Sequence, residues 1–229
     1  MISLTATSRP LAAGGPPPGI KMVHAELPFV GSIPGEIVEF EADSEIHIEG
    51  DKAVYAYRVL SGAVRTFSLL ADGRRQIESF HFAGDVFGID IGDVYRLSAE
   101  ACCDTRLLVI KRAQIEAASR KDCGAARELW CWTAQALERA RVQMLLLGRK
   151  SALEKVASFL VDMARERHED GVLELPMCRT DIADYLGLTI ETVSRSLSHL
   201  ERAGAIALPA TRRIELRNKQ KLGALALQS

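Results

Sequence analysis

At 229 residues, the chain is long enough for one or two domains with a substantial hydrophobic core. Its formal net charge of −1 argues against a protein coated with basic residues, so any attraction to nucleic acid must be local. No window approaches the roughly 18 apolar residues of a membrane span, and the N-terminus lacks the apolar core of a signal peptide.

The N-terminal residues 1–21 contain the run GGPPPG at positions 14–19. Such a composition cannot build packed structure, so we predict a disordered tail over residues 1–21.

Residues 22–123 consist of short alternating runs punctuated by glycine. The Asp72-Gly73 step between two of these runs is a strong hairpin signal. Strands are expected at residues 46–48, 53–59, 63–67, 77–80 and 107–110. Many short strands at regular spacing predict a barrel or jelly roll.

Residues 124–149 predict one long helix, because the segment from 125 to 147 is dense in Ala, Leu, Glu and Arg and lacks internal Gly and Pro. A long helix with an apolar seam favours a partner helix. The alternative, packing only on its own β-rich domain, stays open. The residues expected to form one apolar stripe are Leu129, Trp132, Leu137, Ala140, Met144 and Leu147.

Two short amphipathic segments lie within residues 178–203 and are joined by residues 187–189. In the second segment, Val193, Leu197 and Leu200 recur at i, i+4 and i+7, so one face is apolar. Thr189 is a good N-cap for this second helix, and Gly187 allows a tight turn. The pattern predicts a helix-turn-helix within a domain spanning residues 150–229.

The opposite face of the second helix carries side chains suited to a DNA major groove. Arg195 can bond a guanine bidentately, Glu191 can accept from a cytosine amino group, and Ser194 permits close approach. We predict that Glu191, Ser194 and Arg195 contact bases. The alternative is an ordinary helical hairpin whose charged face is only solvated.

Residues 206–208 and 214–216 alternate like strands around 209–213, which predicts a hairpin wing. Basic side chains in and after this wing are expected near a phosphate backbone, namely Arg212, Arg213, Arg217, Lys219 and Lys221. Including side chains at the helix N-termini, the predicted phosphate contacts are Arg179, Thr189, Thr192, Arg212 and Arg213.

The run DYLGLTIETVSRSLSHLERAG resembles the winged helix-turn-helix of the CRP/FNR transcription-factor family, particularly its FixK branch. The run SFHFAGDVFGIDIG resembles the β-roll of the same family, so the resemblance extends over nearly the whole chain after the tail. It implies an α+β fold with an N-terminal double-stranded β-helix (a β-roll or jelly roll), a long dimerisation helix and a C-terminal winged helix-turn-helix.

The resemblance also implies a function. In the FixK branch, residues matching Glu191, Ser194 and Arg195 read a TTGAT half-site, so a homodimer would bind a TTGAT-N4-ATCAA palindrome. It implies a regulator of low-oxygen genes that activates by contacting RNA polymerase, with double-stranded DNA as its other partner.

Relatives that bind cyclic AMP use a Gly-Glu-Leu turn and an Arg-Ser pair, and this chain departs from both. Gly88 is followed by Ile89 and Asp90, while Arg96 and Ser98 are out of register. Without an ordered arginine a buried cyclic phosphate would be poorly held. We therefore expect no cyclic nucleotide, and Arg96 on the surface or in an ion pair.

No other cofactor is predicted. No cysteine precedes Cys102, which argues against the iron–sulfur cluster of oxygen-sensing relatives. The histidines show neither metal-ligand spacing nor the His-x-His pair of a cupin enzyme, and we expect no enzyme. Two alternatives remain open: a regulator gated by an unidentified ligand in the β-roll, and a β-barrel protein that does not bind DNA.

The five cysteines form no disulfide framework, which favours the reducing cytoplasm. Cys102, Cys103, Cys123 and Cys131 are expected to serve as buried small hydrophobes. Cys178 stands where a hydroxyl would cap the first helix of the motif, beside Arg179 and the positive end of the helix dipole, both of which favour a thiolate. It is therefore a candidate redox switch. The alternative is that Cys178 merely occupies a site suited to a serine-sized residue and has no redox role.

Overall fold

A computed structural model describes residues 33–167 and 171–227. The predicted tail over residues 1–21 lies outside the described residues. The N-terminal half contains eight described strands: β1 Glu36–Phe40, β2 Glu45–His47, β3 Tyr55–Ser61, β4 Ala63–Leu69, β5 Arg75–Phe82, β6 Val86–Phe87, β7 Ser98–Ala101 and β8 Thr105–Lys111.

The strands form two four-stranded antiparallel sheets, with strand orders β1-β8-β3-β6 and β2-β7-β4-β5. The predicted β-roll is confirmed, but β1, β6 and β7 were not among the predicted strands. Strands β4 and β5 pair across the predicted hairpin, where Gly73 has a φ of +84° that suits its tight turn. Aromatic and aliphatic side chains of both sheets fill the space between them, including Tyr57, Phe87 and Leu107.

Three helices follow the β-roll: α1 Arg112–Lys121, α2 Cys123–Arg149 and α3 Ala152–Glu166. Helix α1 was not predicted, because Ile115 is its only buried residue and it presents no apolar stripe. Helix α2 is capped by the Asp122 carboxylate. Helix α3 begins with a capping box between Ser151 and Glu154. Among the described residues, no helix is long and apolar enough to cross a membrane.

The C-terminal part, called the head below, comprises α3 and the elements that follow it: β9 Val172–Glu174, α4 Arg179–Leu186, α5 Ile190–Arg202, β10 Ile206–Ala210, β11 Arg213–Leu216 and α6 Lys219–Ala226. The wing is a three-stranded sheet of order β10-β11-β9. Strand β10 is an edge strand that contains Pro209, and its register shifts between Ala207 and Ala210. The turn of the hairpin therefore comprises only Thr211 and Arg212, shorter than the predicted 209–213.

Candidate nucleic-acid interface

Helix α5 turns an apolar face inward and a polar face outward. Val193, Leu197 and Leu200 are buried, as their spacing predicts. Glu191 and Arg195, at i and i+4, are exposed on the opposite side. Helix α5 therefore presents an acidic acceptor and a guanidinium donor side by side on one accessible surface.

The N-terminus of α5 favours the ionised form of Glu191. Thr189 caps the helix by accepting a hydrogen bond from the Thr192 backbone N–H at 3.3 Å. Hydrogen bonds from its own backbone N–H and from the Thr189 hydroxyl, together with the nearby Arg195, hold the pKa of Glu191 below its ordinary value. The carboxylate is therefore ionised at neutral pH, the form that accepts from a cytosine amino group.

Arg179 and Ser194 join the two helices of the motif. Arg179, the first residue of α4, donates from Nη1 to Ser194 Oγ at 3.3 Å. Arg179, a predicted phosphate contact, is therefore hydrogen-bonded to Ser194, a predicted base contact, in the protein without DNA. The buried Nε of Arg179 has no hydrogen-bond partner among the described residues, so this guanidinium keeps a donor open.

The wing carries exposed arginines that have polar partners within the protein. Arg213 lies 3.5 Å from Glu174, and Arg212 donates to the Pro176 carbonyl at 3.3 Å. Lys219 and Lys221, expected near a phosphate backbone, belong to helix α6, which packs against α3. Helix α6 was not predicted, because with only Leu222 and Ala226 buried it gave no recognisable apolar stripe.

Two family models match the chain. One describes a cyclic nucleotide-binding domain over residues 37–122, and the other a Crp-like helix-turn-helix domain over residues 154–225. The nitrogen fixation regulation protein FixK of Azorhizobium caulinodans is 46% identical over 191 residues, covering 81% of this chain and 77% of that protein. The protein of the same name from Rhizobium meliloti is 38% identical over 215 residues, covering 93% and 98%.

A solved structure agrees with these sequence matches. The structure of FixK2 from Bradyrhizobium japonicum superposes with a TM-score of 0.81 at 49% identity, covering 83% of this chain and 96% of that one. The chain belongs to the CRP/FNR family of transcription regulators. The predicted family and fold class are confirmed, and the relatives and the fold are those of DNA-binding regulators, not enzymes.

In the CRP/FNR β-roll of this chain, a cavity of about 460 Å³ lies between the sheets, α2 and α3. Burial lowers the pKa of both His47 and His81, which line it, to about 3, so both imidazoles are neutral. Arg96 is exposed, and the neighbouring interior position is taken by Tyr95, whose hydroxyl donates to the Tyr55 carbonyl at 2.7 Å. These residues do not fit a cyclic phosphate.

Helix α2 exposes a different stripe from the predicted one. Leu129 and Trp132 pack against the β-roll core, so they do not share a face with the exposed Leu137 and Met144. The exposed stripe begins instead at Trp130, which is 72% exposed. It continues at alternating spacings of three and four residues through Thr133, Leu137, Ala140, Met144 and the half-buried Leu147. A one-residue offset separates the two faces, and sequence periodicity does not distinguish Leu129 from Trp130.

Cys178 occupies the N-cap of α4, as predicted. Its Sγ donates to Asp181 Oδ2 at 3.2 Å, and its backbone N–H donates to the same oxygen at 3.1 Å. The cysteine is therefore a hydrogen-bonded thiol next to a carboxylate.

The other cysteines differ from one another. Cys102 is buried, and burial raises the pKa of its thiol to about 12, which makes it unreactive. Cys103 is half-buried, and Cys123 and Cys131 are exposed. The expectation that all four are buried hydrophobes is wrong for the last two, because both lie on the solvent side of α2.

Sequence reasoning missed a group of interdomain contacts. Arg65 and Arg75 of the β-roll both pair with Asp181 of α4, more than 100 positions away along the chain. No local pattern marks these residues, because each is an ordinary charge within its own segment.

Proposed function

We propose that the chain acts as a homodimer that binds a TTGAT-N4-ATCAA palindrome, with Glu191, Ser194 and Arg195 contacting bases. The observation that carries the proposal is the exposed Glu191–Arg195 pair on a helix whose other face is buried. These side chains match the donor and acceptor pattern of guanine and cytosine edges. Phosphate contacts are proposed for Arg179, Thr189, Thr192, Arg212 and Arg213.

The exposed stripe of α2 supports the dimer. Trp130, Leu137 and Met144 are more than half exposed on one face of a 27-residue helix. Pairing two such faces buries apolar area and gives a two-fold axis. A two-fold dimer matches a palindrome with one recognition helix in each half-site, about one helical turn apart.

We propose that the regulator activates genes used at low oxygen and contacts RNA polymerase. The names of the relatives support a regulator that activates, since FixK proteins are named for nitrogen fixation regulation and FnrL of Cereibacter sphaeroides, 34% identical over 183 residues, is named a transcriptional activator. The low-oxygen genes and the polymerase contact are what the resemblance to the FixK branch implies.

Fluorescence anisotropy tests the DNA proposal. The full-length protein is titrated against a labelled palindrome and a scrambled duplex of equal length at fixed salt concentration, with sedimentation velocity on the same sample. We expect a dimer that prefers the palindrome by at least about a thousandfold. A monomer that binds both duplexes equally would refute the proposal.

We propose further that oxidation of Cys178 weakens DNA binding. A first hydrogen peroxide transfers an oxygen atom to the sulfur, giving sulfenic acid and water, and a second gives sulfinic acid and water. The resulting anion would lie beside Asp181 and the N-terminus that meets phosphates, where like charges repel. Peroxide titration of wild type and Cys178→Ser tests this. We expect only wild type to lose DNA binding, and equal sensitivity would refute it.

A second candidate function is an effector-gated regulator. The cavity supports it, because Nδ1 of both His47 and His81 is buried there without a hydrogen-bond partner among the described residues. Mass spectrometry of the purified protein under native and denaturing conditions tests it, since a resident effector would appear as a mass difference between the two.

A further inference from the structure

Helix α4, the first helix of the helix-turn-helix, is held at its N-terminal end by two arginines of the β-roll. Arg75 donates from Nη2 to Asp181 Oδ1 at 2.5 Å and from Nε to Asp184 Oδ2 at 2.9 Å. Arg65 donates from Nη1 to Asp181 Oδ2 at 3.3 Å. One guanidinium therefore contacts two carboxylates on consecutive turns of α4, which fixes direction as well as distance.

The C-terminal end of α4 is held by neutral side chains. Gln76, next to Arg75 on β5, donates to the Asp184 carbonyl at 2.8 Å. Gln143 of α2 donates to the Tyr185 carbonyl at 2.7 Å. The last carbonyls of a helix lack partners within it, so these contacts satisfy groups that would otherwise need water. We call the contacts of Arg65, Arg75, Gln76 and Gln143 with α4 the clasp.

The covalent link to the head is short and does not continue a helix. Only Lys150 and Ser151 separate α2 from α3, and both have extended backbone angles. Because the helix is interrupted, the direction of α3 relative to α2 depends on non-covalent contacts. The clasp is one set of these contacts, and the tilted ring contact of Phe80 with Tyr185, at 5.2 Å between ring centroids, is another.

Arg65 of the clasp is itself held by acidic side chains of the β-roll. The Arg65 side chain is only 8% exposed and is also held by Asp43 at 2.9 Å and Glu100 at 2.7 Å within the β-roll. The Asp181 side chain is 3% exposed. Buried charges with several partners allow few alternative geometries. In this docked arrangement Glu191 and Arg195 stay exposed, so the clasp orients the exposed face of α5 without covering it.

We propose that Arg75 and Asp184 are positioning residues that set the separation of the two recognition helices and thereby the spacer length the regulator accepts. The inference rests on the proposed palindrome and dimer. Each added base pair moves a half-site by about 3.4 Å and rotates it by about 34°. A head fixed by the clasp tolerates only one spacer, whereas a head released to turn about Lys150 and Ser151 follows the displaced half-site.

Spacer selection tests the proposal. Anisotropy measures binding of the full-length protein to palindromes with N2 to N6 spacers, to an isolated half-site and to a scrambled duplex. The variants are Arg75→Gln and, on the opposite side of the contact, Asp184→Asn. The matched control is Arg74→Gln, because Arg74 is the adjacent residue, its side chain is 77% exposed and its ion pair is with Asp72 in the hairpin turn.

We expect wild type and Arg74→Gln to prefer N4 over N3 and N5 by at least about tenfold, because a fixed head cannot follow the displaced site. In Arg75→Gln and Asp184→Asn this ratio should fall to about two or three, with half-site affinity nearly unchanged, since preorganisation is lost but contacts are not. Wild-type spacer preference in both variants would overturn the proposal. Equal loss on every duplex, the half-site included, would overturn it too.

A measurement without DNA separates this proposal from the proposed function. If wild type does not distinguish the palindrome from the scrambled duplex, the proposed function fails and the clasp is judged by hydrogen exchange. Amides of residues 181–186 should exchange faster in Arg75→Gln and Asp184→Asn than in wild type or Arg74→Gln. Unchanged exchange in both variants would overturn the proposal whatever the DNA results.

Discussion

In α5 the charged side chains Glu191 and Arg195 reach solvent, whereas in α4 the Asp181 carboxylate is buried and receives hydrogen bonds from two arginines. The two helices are adjacent in one motif, but the polar groups of α5 face solvent, whereas Asp181 of α4 faces the β-roll. Exposed groups are available to DNA, and buried groups act on stability and orientation. Changes of buried groups in α4 or the β-roll should therefore affect folding and the orientation of the head, and changes on the exposed face of α5 should affect only DNA binding.

The largest effect is expected from Asp181→Ala. Removing this carboxylate leaves the Arg65 guanidinium, itself buried, with one partner fewer, and we expect the free energy of unfolding to fall by roughly 3 kcal/mol. Urea denaturation of the full-length protein measures it. The control is Asp72→Ala, since Asp72 is an exposed hairpin residue, and its stability should stay close to wild type. Equal stability of the two variants would show that the buried Asp181 carboxylate contributes no more to folding than the exposed Asp72 carboxylate.

Arg195→Ala should show the opposite pattern. We expect a loss of roughly 1–3 kcal/mol of binding per half-site, concentrated at one base pair, because a bidentate guanine contact disappears. The free energy of unfolding should not change, because the side chain is exposed. Anisotropy on single-base-pair variants of the palindrome measures the selectivity. An equal loss on all sequences would show that Arg195 contacts phosphate rather than base.

Acidification should lower stability through the buried imidazoles of His47 and His81 and should not change the charge of the exposed Glu191 carboxylate. The pKa of His47 and of His81 in the folded protein is about 3, below the ordinary 6.5, so the unfolded chain takes up protons first as the pH falls. Above pH 6.5 neither group contributes, and below it stability declines by about 1.4 kcal/mol per histidine between pH 7.5 and 5.5.

Urea midpoints at pH 7.5 and 5.5 measure this decline. His81→Gln should lose less stability on acidification than wild type, because one of the two titrating groups is gone. Glu191, whose pKa is lowered, stays ionised over this range and should not contribute to any change in DNA affinity. An identical decline in wild type and His81→Gln would exclude His81 as a source.

The smallest effect is expected from Arg213→Ala in the wing. Glu174 lies 3.5 Å away and already offsets part of the arginine charge. We expect a modest loss of affinity on all sequences and a salt dependence reduced by about one unit of slope. Titrations at several salt concentrations on the palindrome and on scrambled DNA provide the comparison. A loss confined to the palindrome would assign Arg213 to base recognition.

What could be predicted from the sequence follows the same division. The stripe of Val193, Leu197 and Leu200 is a local pattern, and it correctly gave α5 and its accessible face. The stripe of α2 was misassigned by one residue, because both Leu129 and Trp130 are large and apolar and only the tertiary structure decides which one packs inward. Helices α1 and α6 bury too few residues to produce a periodic signal.

The clasp was beyond sequence reasoning for a different reason. Arg75 lies just after the predicted Asp72-Gly73 hairpin step and Asp181 lies within the predicted helix-turn-helix, and neither local pattern indicates the other residue. Their contact depends on how the head docks on the β-roll, across 106 positions of chain. The predicted environment of Cys178 was incomplete for the same reason. Asp181, which accepts a hydrogen bond from the thiol, also binds Arg65 and Arg75.

Pro209 in the outer strand of the wing has a consequence for the association of the protein with other chains. A proline offers no N–H, and the shifted register beside it bends the strand, so this rim of the sheet is a poor template for a neighbouring molecule. The hairpin whose turn contains Arg212 thus also protects its outer edge against strand addition by another chain.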